Sequence, residues 1–364
     1  MSAQPASFPP FILAEGESIL QAQGTLEVLG DEAEALALAQ QKGSGVVGLI
    51  PFDPDQEPLL GVPDQLIRYP APAARDLSAL FPAPSALEGV DNEGYRQAVS
   101  QALALLAGGR LEKVVLGRLL KVYYEQDLDL PSLYETLRAQ QPSAQVFSFR
   151  LPQGRTLMGA SPELVLASDA QGFRTKPLAG SSSRQALPGS MEDLKGAEAL
   201  LASAKDRAEH ATVVEDICRR LGPLTSELLV PAQPELVSTP QLWHLGTPMS
   251  GRLKAGISSL AAARAIHPTP AICGTPTDLA RQVIADLEPF ERSYFGGLVG
   301  YMDTQGYGSW YLVLRCAELE GPRATLFAGA GIVQGSQPAS EHEETASKLG
   351  TFARALGLNL SAQV

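Results

Sequence analysis

The chain has 364 residues, of which 45% are hydrophobic, and it carries a net charge of −12 with an isoelectric point of about 4.9. This length can supply a large core as one or two domains, and the acidic balance argues against nucleic acid as a partner, because phosphate binding needs a basic face. No apolar run approaches the roughly 20 residues of a membrane span, and the first residues lack the basic and apolar regions of a signal peptide, so we expect a cytoplasmic protein.

The first 90 residues contain frequent proline and glycine. A stretch rich in Ala, Leu and Glu at 31–42 predicts a helix. Proline-containing stretches at 51–55 and 70–74 predict turns and edge segments, and residues 81–90 are interpreted as a connector.

From residue 91 the apolar pattern becomes regular. Apolar residues recur at helical spacing from Tyr95 to Leu106 and are followed by Gly108, which predicts a helix that ends there. Further helices are predicted at 190–221, 257–266, 277–287 and 339–356. Strands are predicted at 113–124, 145–151, 156–167, 173–178, 296–302, 309–318 and 324–328. Because strands and helices do not alternate regularly, the sequence predicts an α+β fold with largely antiparallel sheets and helices packed on them.

Two predicted helices begin with paired acids. Asp206 and Glu209 are three residues apart, as are Glu341 and Glu344, and residues at this spacing share one helix face. If the two faces met, the four carboxylates would repel unless a divalent ion such as Mg²⁺ neutralised them. The alternative is a set of solvated acids in first helical turns, where the helix dipole favours them.

Two further residues could exchange protons with a substrate. Lys113 lies in a β-branched strand, where burial would favour the neutral amine and make it a general base; the alternative is an edge-strand lysine with its amine in solvent. Glu163 lies between a turn and an apolar strand, where burial would raise its pKa and allow it to donate a proton. A turn-capping carboxylate is the alternative for Glu163.

Glycines follow two of the predicted strands, in Pro-Leu-Ala-Gly-Ser at 177–181 and Phe-Ala-Gly-Ala-Gly at 327–331. Glycine allows a ligand to approach the backbone, whose N–H groups can bind carboxylates. Gly180, Ser181 and Gly329 are therefore candidate binding residues, although tight turns use the same residues. No dinucleotide or Walker motif is present.

Three cationic or polar residues could contact an anionic ligand. His244 follows an apolar segment and could donate a hydrogen bond in a cleft, or it could be structural. Arg315 interrupts an apolar strand, so it needs an anionic partner in the protein or in a substrate. Lys348 follows Glu344 by four residues, which fits either a surface ion pair or a shared anion and metal site.

The ordered motifs resemble the chorismate-utilising enzymes. The resemblance covers roughly residues 91–358, and the most similar subgroup is isochorismate synthase, which feeds dihydroxybenzoate siderophores or menaquinone. The motifs are Lys-Val-Val-Leu-Gly-Arg at 113–118, Gly-Ala-Ser-Pro-Glu-Leu at 159–164, Pro-Leu-Ala-Gly-Ser at 177–181, Lys-Asp-Arg-Ala-Glu-His at 205–210, Trp-His-Leu-Gly-Thr-Pro at 243–248, His-Pro-Thr-Pro-Ala-Ile-Cys-Gly at 267–274, Glu-Pro-Phe-Glu-Arg at 288–292, Phe-Ala-Gly-Ala-Gly-Ile-Val at 327–333 and Glu-His-Glu-Glu at 341–344.

The resemblance implies one large α+β domain, in which two antiparallel sheets pack face to face and helices surround them. Residues 1–90 would be a variable part of this single domain, and residues 91–364 would form the chorismate-binding core. Siderophore-type relatives are often monomers, so we expect a monomer, with a weak homodimer as the alternative.

The resemblance also implies roles for the candidate residues. Glu209 and Glu344 would contact Mg²⁺ most closely, and Glu341 and Asp206 would support the ion, partly through water. The ion would hold the ring carboxylate of chorismate. The residues that would bind or orient the substrate are Arg315, Lys348, Gly180, Ser181, Gly329 and His244.

In the water-using members of this family, a lysine at the place of Lys113 activates water, and Glu163 would protonate the departing hydroxyl. Ala179 stands where aminodeoxychorismate synthases that resemble this chain carry a nucleophilic lysine, which argues against that branch. The segment at 267–274 favours isochorismate as product over the alternative, a salicylate synthase that also eliminates pyruvate. A catalytically silent chorismate-binding protein is a third hypothesis.

One departure from the family pattern is the run Ser-Ser-Ser-Arg at 181–184, where many relatives have Thr-Arg-Pro-Arg. The hydroxyl is retained at Ser181, the following arginine is absent, and the sequence assigns no role to Arg184.

Overall fold

A computed structural model describes residues 8–184, 187–238 and 242–360. These residues form eight α-helices and twenty β-strands. No helix among them is both long enough and apolar enough to cross a bilayer. The predicted α+β class is confirmed.

In the first half of the chain the helices are α1 (Glu32–Lys42), α2 (Glu93–Ala107) and α3 (Leu130–Gln140). The strands are β1 (Phe11–Glu15), β2 (Ser18–Leu29), β3 (Val46–Ile50), β4 (Leu59–Pro70), β5 (Ala86–Glu88), β6 (Lys113–Tyr123), β7 (Gln145–Arg150), β8 (Thr156–Ser161), β9 (Leu164–Asp169), β10 (Gly172–Thr175) and β11 (Leu178–Ser183).

In the second half the helices are α4 (Met191–Ala202), α5 (Ala204–Leu221), α6 (Ser259–Ile266), α7 (Thr277–Leu287) and α8 (Pro338–Ala355). The strands are β12 (Thr225–Leu229), β13 (Glu235–Ser238), β14 (Leu242–Gly246), β15 (Met249–Leu253), β16 (Gly274–Thr275), β17 (Leu298–Met302), β18 (Gly308–Leu312), β19 (Cys316–Glu320) and β20 (Arg323–Val333).

Every strand pairing among the described residues is antiparallel. Seventeen strands form one continuous hydrogen-bonded network, and β11, β14 and β13 form a separate small sheet. The network runs from β6 through β20, β19, β8, β7, β1, β2, β4, β3, β17, β18, β9, β10 and β15 to β12. The two halves of this network are joined through β2 and β4, whose pairing contains a bulge between Gln23 and Leu26.

The two halves pack against each other. Phe11, Leu13 and Phe147 of the first half share a buried cluster with Val47 and Val299 of the second half. Alternate residues of the same strands face outward into two other clusters, which the helices cover. This alternation is the pattern expected of strands that are buried on both faces, and it confirms two packed antiparallel layers.

Three elements that the sequence predicts as continuous are each divided in the structure, at Ser203, Glu163 and Arg315. The helical region at 190–221 divides at Ser203, whose side chain accepts a hydrogen bond from the Asp206 N–H and begins α5. The strand predicted at 156–167 divides around Glu163, and that predicted at 309–318 divides at Arg315, which has a φ of 48°.

The N-terminal part enters the same strand network as the rest of the chain. Strand β1 pairs with β7, and β3 pairs with β17. The twelve-residue strands β2 and β4 were not predicted. The division of the single domain at residue 90 stays a prediction.

Candidate active site

A cavity of about 170 Å³ opens where the small sheet, the end of β18, β20 and α8 come together. Seven of the candidate residues line it: Glu163, Ser181, His244, Arg315, Gly329, Glu344 and Lys348. The other five, Lys113, Asp206, Gly180, Glu209 and Glu341, lie outside its immediate lining.

Lys113 begins β6 and lies next to the cavity. Its amine donates a hydrogen bond to Glu209 Oε1 at 2.6 Å, and its side chain is 11% exposed. A Cβ on Gly331, in the neighbouring strand β20, would lie 2.8 Å from Lys113 Cε. The glycine therefore leaves the space that the lysine side chain occupies, which fits a buried lysine better than an edge lysine with its amine in solvent.

Glu163 lies between β8 and β9, where the strand is broken. It is 8% exposed, and burial raises its pKa to about 7, against the opposing effects of a backbone hydrogen bond from Leu178 and the charges of Arg315 and Lys113. The expected rise in the pKa of Glu163 is confirmed. A carboxyl group with a pKa near neutrality can donate a proton under ordinary conditions.

Arg315 contributes positive charge to the cavity. Its burial lowers the pKa of the guanidinium, while the charges of Glu344 and Glu163 oppose that effect. Among the described residues, Arg315 forms no ion pair within 4.0 Å of a carboxylate. A half-buried cation without a bound carboxylate is suited to receive one from a ligand.

Lys348 is the second cation of the cavity. Its amine donates hydrogen bonds to Gly329 O at 2.9 Å and to Glu344 Oε1 at 2.6 Å. The pair with Glu344 follows the helical spacing of a surface pair, but both residues line the cavity. The structure therefore favours the interpretation in which they share the site.

His244 and Ser181 face each other across β14 and β11, at paired positions of the small sheet. Ser181 Oγ and His244 Nδ1 lie 2.6 Å apart. The other ring nitrogen of His244, Nε2, is buried and has no hydrogen-bond partner. Burial lowers the pKa of His244 to about 3, so the ring is neutral, and its free nitrogen is available to a ligand in the cavity.

The segment around Gly180 packs closely against helix α5. Gly180 has a φ of 76°, which favours glycine, and a Cβ at this position would lie 3.1 Å from Asp206. The adjacent Ala179 carbonyl accepts a hydrogen bond from His210 Nδ1 at 3.2 Å, in the tautomer that carries the proton there, and the other nitrogen lies 2.7 Å from Thr247 Oγ1. These contacts hold the start of β11 against helix α5, which carries Glu209.

The four acidic side chains do not converge into one cluster. Among the described residues, no group of three or more His, Cys, Asp or Glu side chains is arranged to hold a metal ion. Glu209 contacts Lys113, Glu344 contacts Lys348, and Asp206 contacts the Ser203 hydroxyl at the start of α5. These three acids therefore each have a side-chain partner, and the meeting of the two carboxylate faces around an ion stays a prediction.

Two of these acids nevertheless fit a magnesium ion. The Glu209 and Glu344 side chains are 26% and 46% exposed, and each has a single ammonium partner, which a divalent cation could replace. Burial and the nearby charge of Glu344 raise the pKa of Glu341, which fits a second carboxyl close to that position. Mg²⁺ commonly uses one or two protein carboxylates and completes its shell with water and an anionic ligand.

Several walls of the cavity were not predicted as site residues. Val115, Ala271, Ile272, Arg292 and Phe327 come from segments that carried the family motifs, and Phe295 and Leu314 lie outside those segments. Their individual roles have no signal in residue type, because apolar and ion-paired side chains are common in any core.

Arg184, which the sequence left without a role, lies in a buried cluster beside the small sheet. Its guanidinium forms two hydrogen bonds with Asp193 of α4 and lies 4.6 Å from the centre of the Trp243 ring. The Trp243 indole also donates to Asp193, at 2.9 Å. This cluster attaches α4 to the strands that carry Ser181 and His244.

Comparisons with known proteins agree with this arrangement. The sequence model of the family described as "Chorismate binding enzyme" matches residues 70–357. The chain is 40% identical to isochorismate synthase EntC of Escherichia coli (strain K12), over 89% of this chain and 85% of that protein. It is 37% identical to isochorismate synthase DhbC of Bacillus subtilis (strain 168), over 96% of this chain and 94% of that protein.

A solved structure is similar over nearly the whole chain. It is the crystal structure of a putative 2,3-dihydroxybenzoate-specific isochorismate synthase, DhbC, from Bacillus anthracis. The TM-score is 0.88 and the identity 36%, and the alignment covers 96% of this chain and 97% of the other.

Proposed function

Since the chain belongs to the family of chorismate-binding enzymes, we propose that it is an isochorismate synthase, an isomerase that converts chorismate to isochorismate reversibly with Mg²⁺. The observation that carries the proposal is the pairing of an acid and a base at one cavity. Glu163, with a pKa of about 7, lines the cavity, and Lys113 lies close enough for its charge to act on Glu163.

The reaction exchanges one hydroxyl for another. We propose that Lys113, as the free amine, takes a proton from a water molecule whose oxygen forms a bond to ring C2. Glu163 donates a proton to the C4 hydroxyl, which leaves as water when the C4–O bond breaks, and the ring double bonds shift. One water enters and one leaves, so substrate and product are isomers. Each general acid–base step typically contributes about 10²–10⁴-fold to the rate.

The cations of the cavity would bind the two carboxylates of chorismate. Arg315 has no carboxylate partner among the described residues, and Lys348 lies beside Gly329 on the cavity wall. We propose that Arg315, Lys348 and the backbone near Gly180 and Gly329 orient the substrate. Positioning of this kind can supply several kcal/mol by removing the entropy cost of bringing the reacting groups together.

The proposed metal site consists of Glu209 and Glu344, with Glu341 and Asp206 acting through water. A bound Mg²⁺ would hold the ring carboxylate of the substrate and offset the charge of the nearby acids. His244 would offer its free Nε2 to the substrate, held in place by Ser181.

The proposal is tested by incubating the purified protein with chorismate, with and without Mg²⁺, and separating the products by chromatography. Mg²⁺-dependent isochorismate without pyruvate is the expected result. Salicylate with stoichiometric pyruvate would instead identify a salicylate synthase. Binding of chorismate without any product, in a folded protein, would contradict an enzymatic role.

A further inference from the structure

One edge of strand β6 lacks a partner strand in its middle. On one side β6 pairs with β20 along its whole length. On the other side β16 pairs only as far as Val114, and β5 begins to pair only at Lys121. Among the described residues, no strand pairs with this edge between those two positions. The Val115 N–H still donates to the Cys273 carbonyl at 2.8 Å, so the gap begins at the Val115 carbonyl, two residues after Lys113.

Two side chains take the place of the missing strand. Glu288 Oε1 accepts a hydrogen bond from the Gly117 N–H at 2.6 Å. Arg292 Nη2 donates to the Val115 carbonyl at 2.6 Å, and Arg292 Nη1 donates to the Ile272 carbonyl at 3.1 Å. Buried backbone groups without partners are costly, so these side chains remove a cost that the gap would otherwise impose.

Glu288 and Arg292 also bind each other. Arg292 Nε donates to Glu288 Oε2 at 2.9 Å. The Arg292 side chain is 5% exposed and the Glu288 side chain 2% exposed. The guanidinium lies 4.3 Å from the centre of the Phe52 ring and 5.7 Å from that of Phe295. These contacts hold the guanidinium in one orientation, with its donors directed at both carbonyls. Phe52 comes from the first 90 residues, so that part of the chain supports the arrangement.

The pair separates two cavities. Arg292 lines the proposed active site together with Val115 and Ile272. Glu288 and Gly117 line a second cavity of about 280 Å³ on the other side. A movement of Arg292 would therefore displace an active-site wall and the strand that carries Lys113 together.

We propose that Glu288 and Arg292 are positioning residues of the reaction, which bridge the gap in β6 and fix the Lys113 strand relative to the wall at Ile272. This inference rests on the proposed function. It assigns to these two residues no direct contact with reacting atoms; they act through the backbone of Val115, Gly117 and Ile272.

The test compares Arg292→Lys with a matched control, Arg138→Lys. Arg138 is also a buried arginine, 8% exposed, that pairs with a nearby carboxylate, Glu135, and donates to a distant carbonyl, that of Pro72. It does not line the proposed site. A lysine has one ammonium group and cannot reach two carbonyls and a carboxylate in the fixed geometry of a guanidinium.

For Arg292→Lys we expect kcat to fall at least about tenfold while KM changes less than about threefold, because small misplacements of reacting groups reduce the rate strongly. Arg138→Lys should keep kcat within about twofold at a similar loss of Tm. The inference is overturned if folded Arg292→Lys retains the wild-type kcat, or if the control loses as much activity for the same change in Tm.

A second measurement does not depend on activity. In Glu288→Ala the Gly117 amide should exchange with deuterium at least about tenfold faster than in the wild type, whereas Glu288→Gln keeps an oxygen acceptor and should restore both the protection and most of kcat. Unchanged exchange at Gly117 in Glu288→Ala would overturn the bridging of the gap. Absence of isochorismate from the wild type would overturn the proposed function instead, and the exchange result would still stand.

Discussion

The amine of Lys113 lies 2.6 Å from the carboxylate of Glu209, across an interval of 96 residues along the chain. This contact joins the proposed base to a proposed magnesium ligand. Strand β6 and helix α5, which carries Asp206 and Glu209, are thus connected beside the cavity.

Replacement of Lys113 by alanine should remove the general base. We expect Lys113→Ala to lower kcat for isochorismate formation by at least about 10²-fold. The circular dichroism spectrum should be unchanged, because truncation of one long side chain leaves the β6–β20 pairing intact. Lys121→Ala, in the same strand but about 42% exposed, is a suitable control and should retain kcat. Wild-type turnover in Lys113→Ala would reject the role of Lys113.

The activity should depend on the ionisation of Glu163. Its pKa is about 7, and a general acid must carry its proton, so kcat should fall as the pH rises through about 7. Glu163→Gln cannot donate a proton, and we expect its kcat to be at least about 10²-fold lower, without this pH-dependent limb. A pH profile of the variant that retains the wild-type shape would count against this assignment.

The same group should affect stability. The pKa of Glu163 is raised from its ordinary value of 4.5, so between pH 4.5 and 7 the folded protein holds a proton that the unfolded chain has lost. The free energy of unfolding should therefore decrease as the pH rises through this interval, by up to about 3 kcal/mol. Denaturant unfolding of the wild type and of Glu163→Gln at several pH values measures the difference, and the variant should show the flatter dependence.

Removal of Mg²⁺ should abolish the reaction. We expect a chelator to stop isochorismate formation and added Mg²⁺ to restore it. Glu209→Gln and Glu344→Gln should each raise the half-saturating Mg²⁺ concentration at least about tenfold. Glu343→Gln is the control, since Glu343 is an exposed acid on α8, the helix that carries Glu344. Equal Mg²⁺ requirements in all three variants would reject this pair of ligands.

The orientation of His244 should depend on Ser181. Ser181→Ala removes the contact at Nδ1 and leaves a buried nitrogen without a partner, which typically costs about 1–3 kcal/mol. We expect a decrease of about tenfold in kcat/KM for this variant. Ser181→Thr keeps the hydroxyl and should behave like the wild type. Steady-state kinetics on the three proteins makes the comparison, and equal kcat/KM for the alanine and threonine variants would contradict it.

The sequence predicted the fold class and the strand β6 that carries Lys113. Lys113 and Glu163 stood out because charged residues are unusual in apolar strand patterns. The strands β2 and β4 were missed because they contain polar side chains such as Gln21, Gln23 and Gln65, and because Gly24 and Pro63 interrupt their apolar pattern. These strands are stabilised by their neighbours in the network rather than by their own propensity.

The site was predicted less completely, for a physical reason. Glu288 and Arg292 are four residues apart, and from the sequence alone such a pair is typical of a solvated helix surface. Their burial depends on contacts with Phe52, Val115 and Ile272, which lie far away in the sequence. Likewise, the partner of Glu209 is Lys113, which lies 96 residues away along the chain, and no spacing rule contains that information.

The pairing of β3 with β17 has a consequence for how the protein reaches this structure. Leu298 pairs with Ile50, so a closure of about 250 residues must form before this part of the network is complete. Such a high contact order predicts slow folding, since the entropy of loop closure is lost before the distant pairing compensates for it. During synthesis, β3 can pair with β4 early, but its other edge must wait until β17, at 298–302, has emerged.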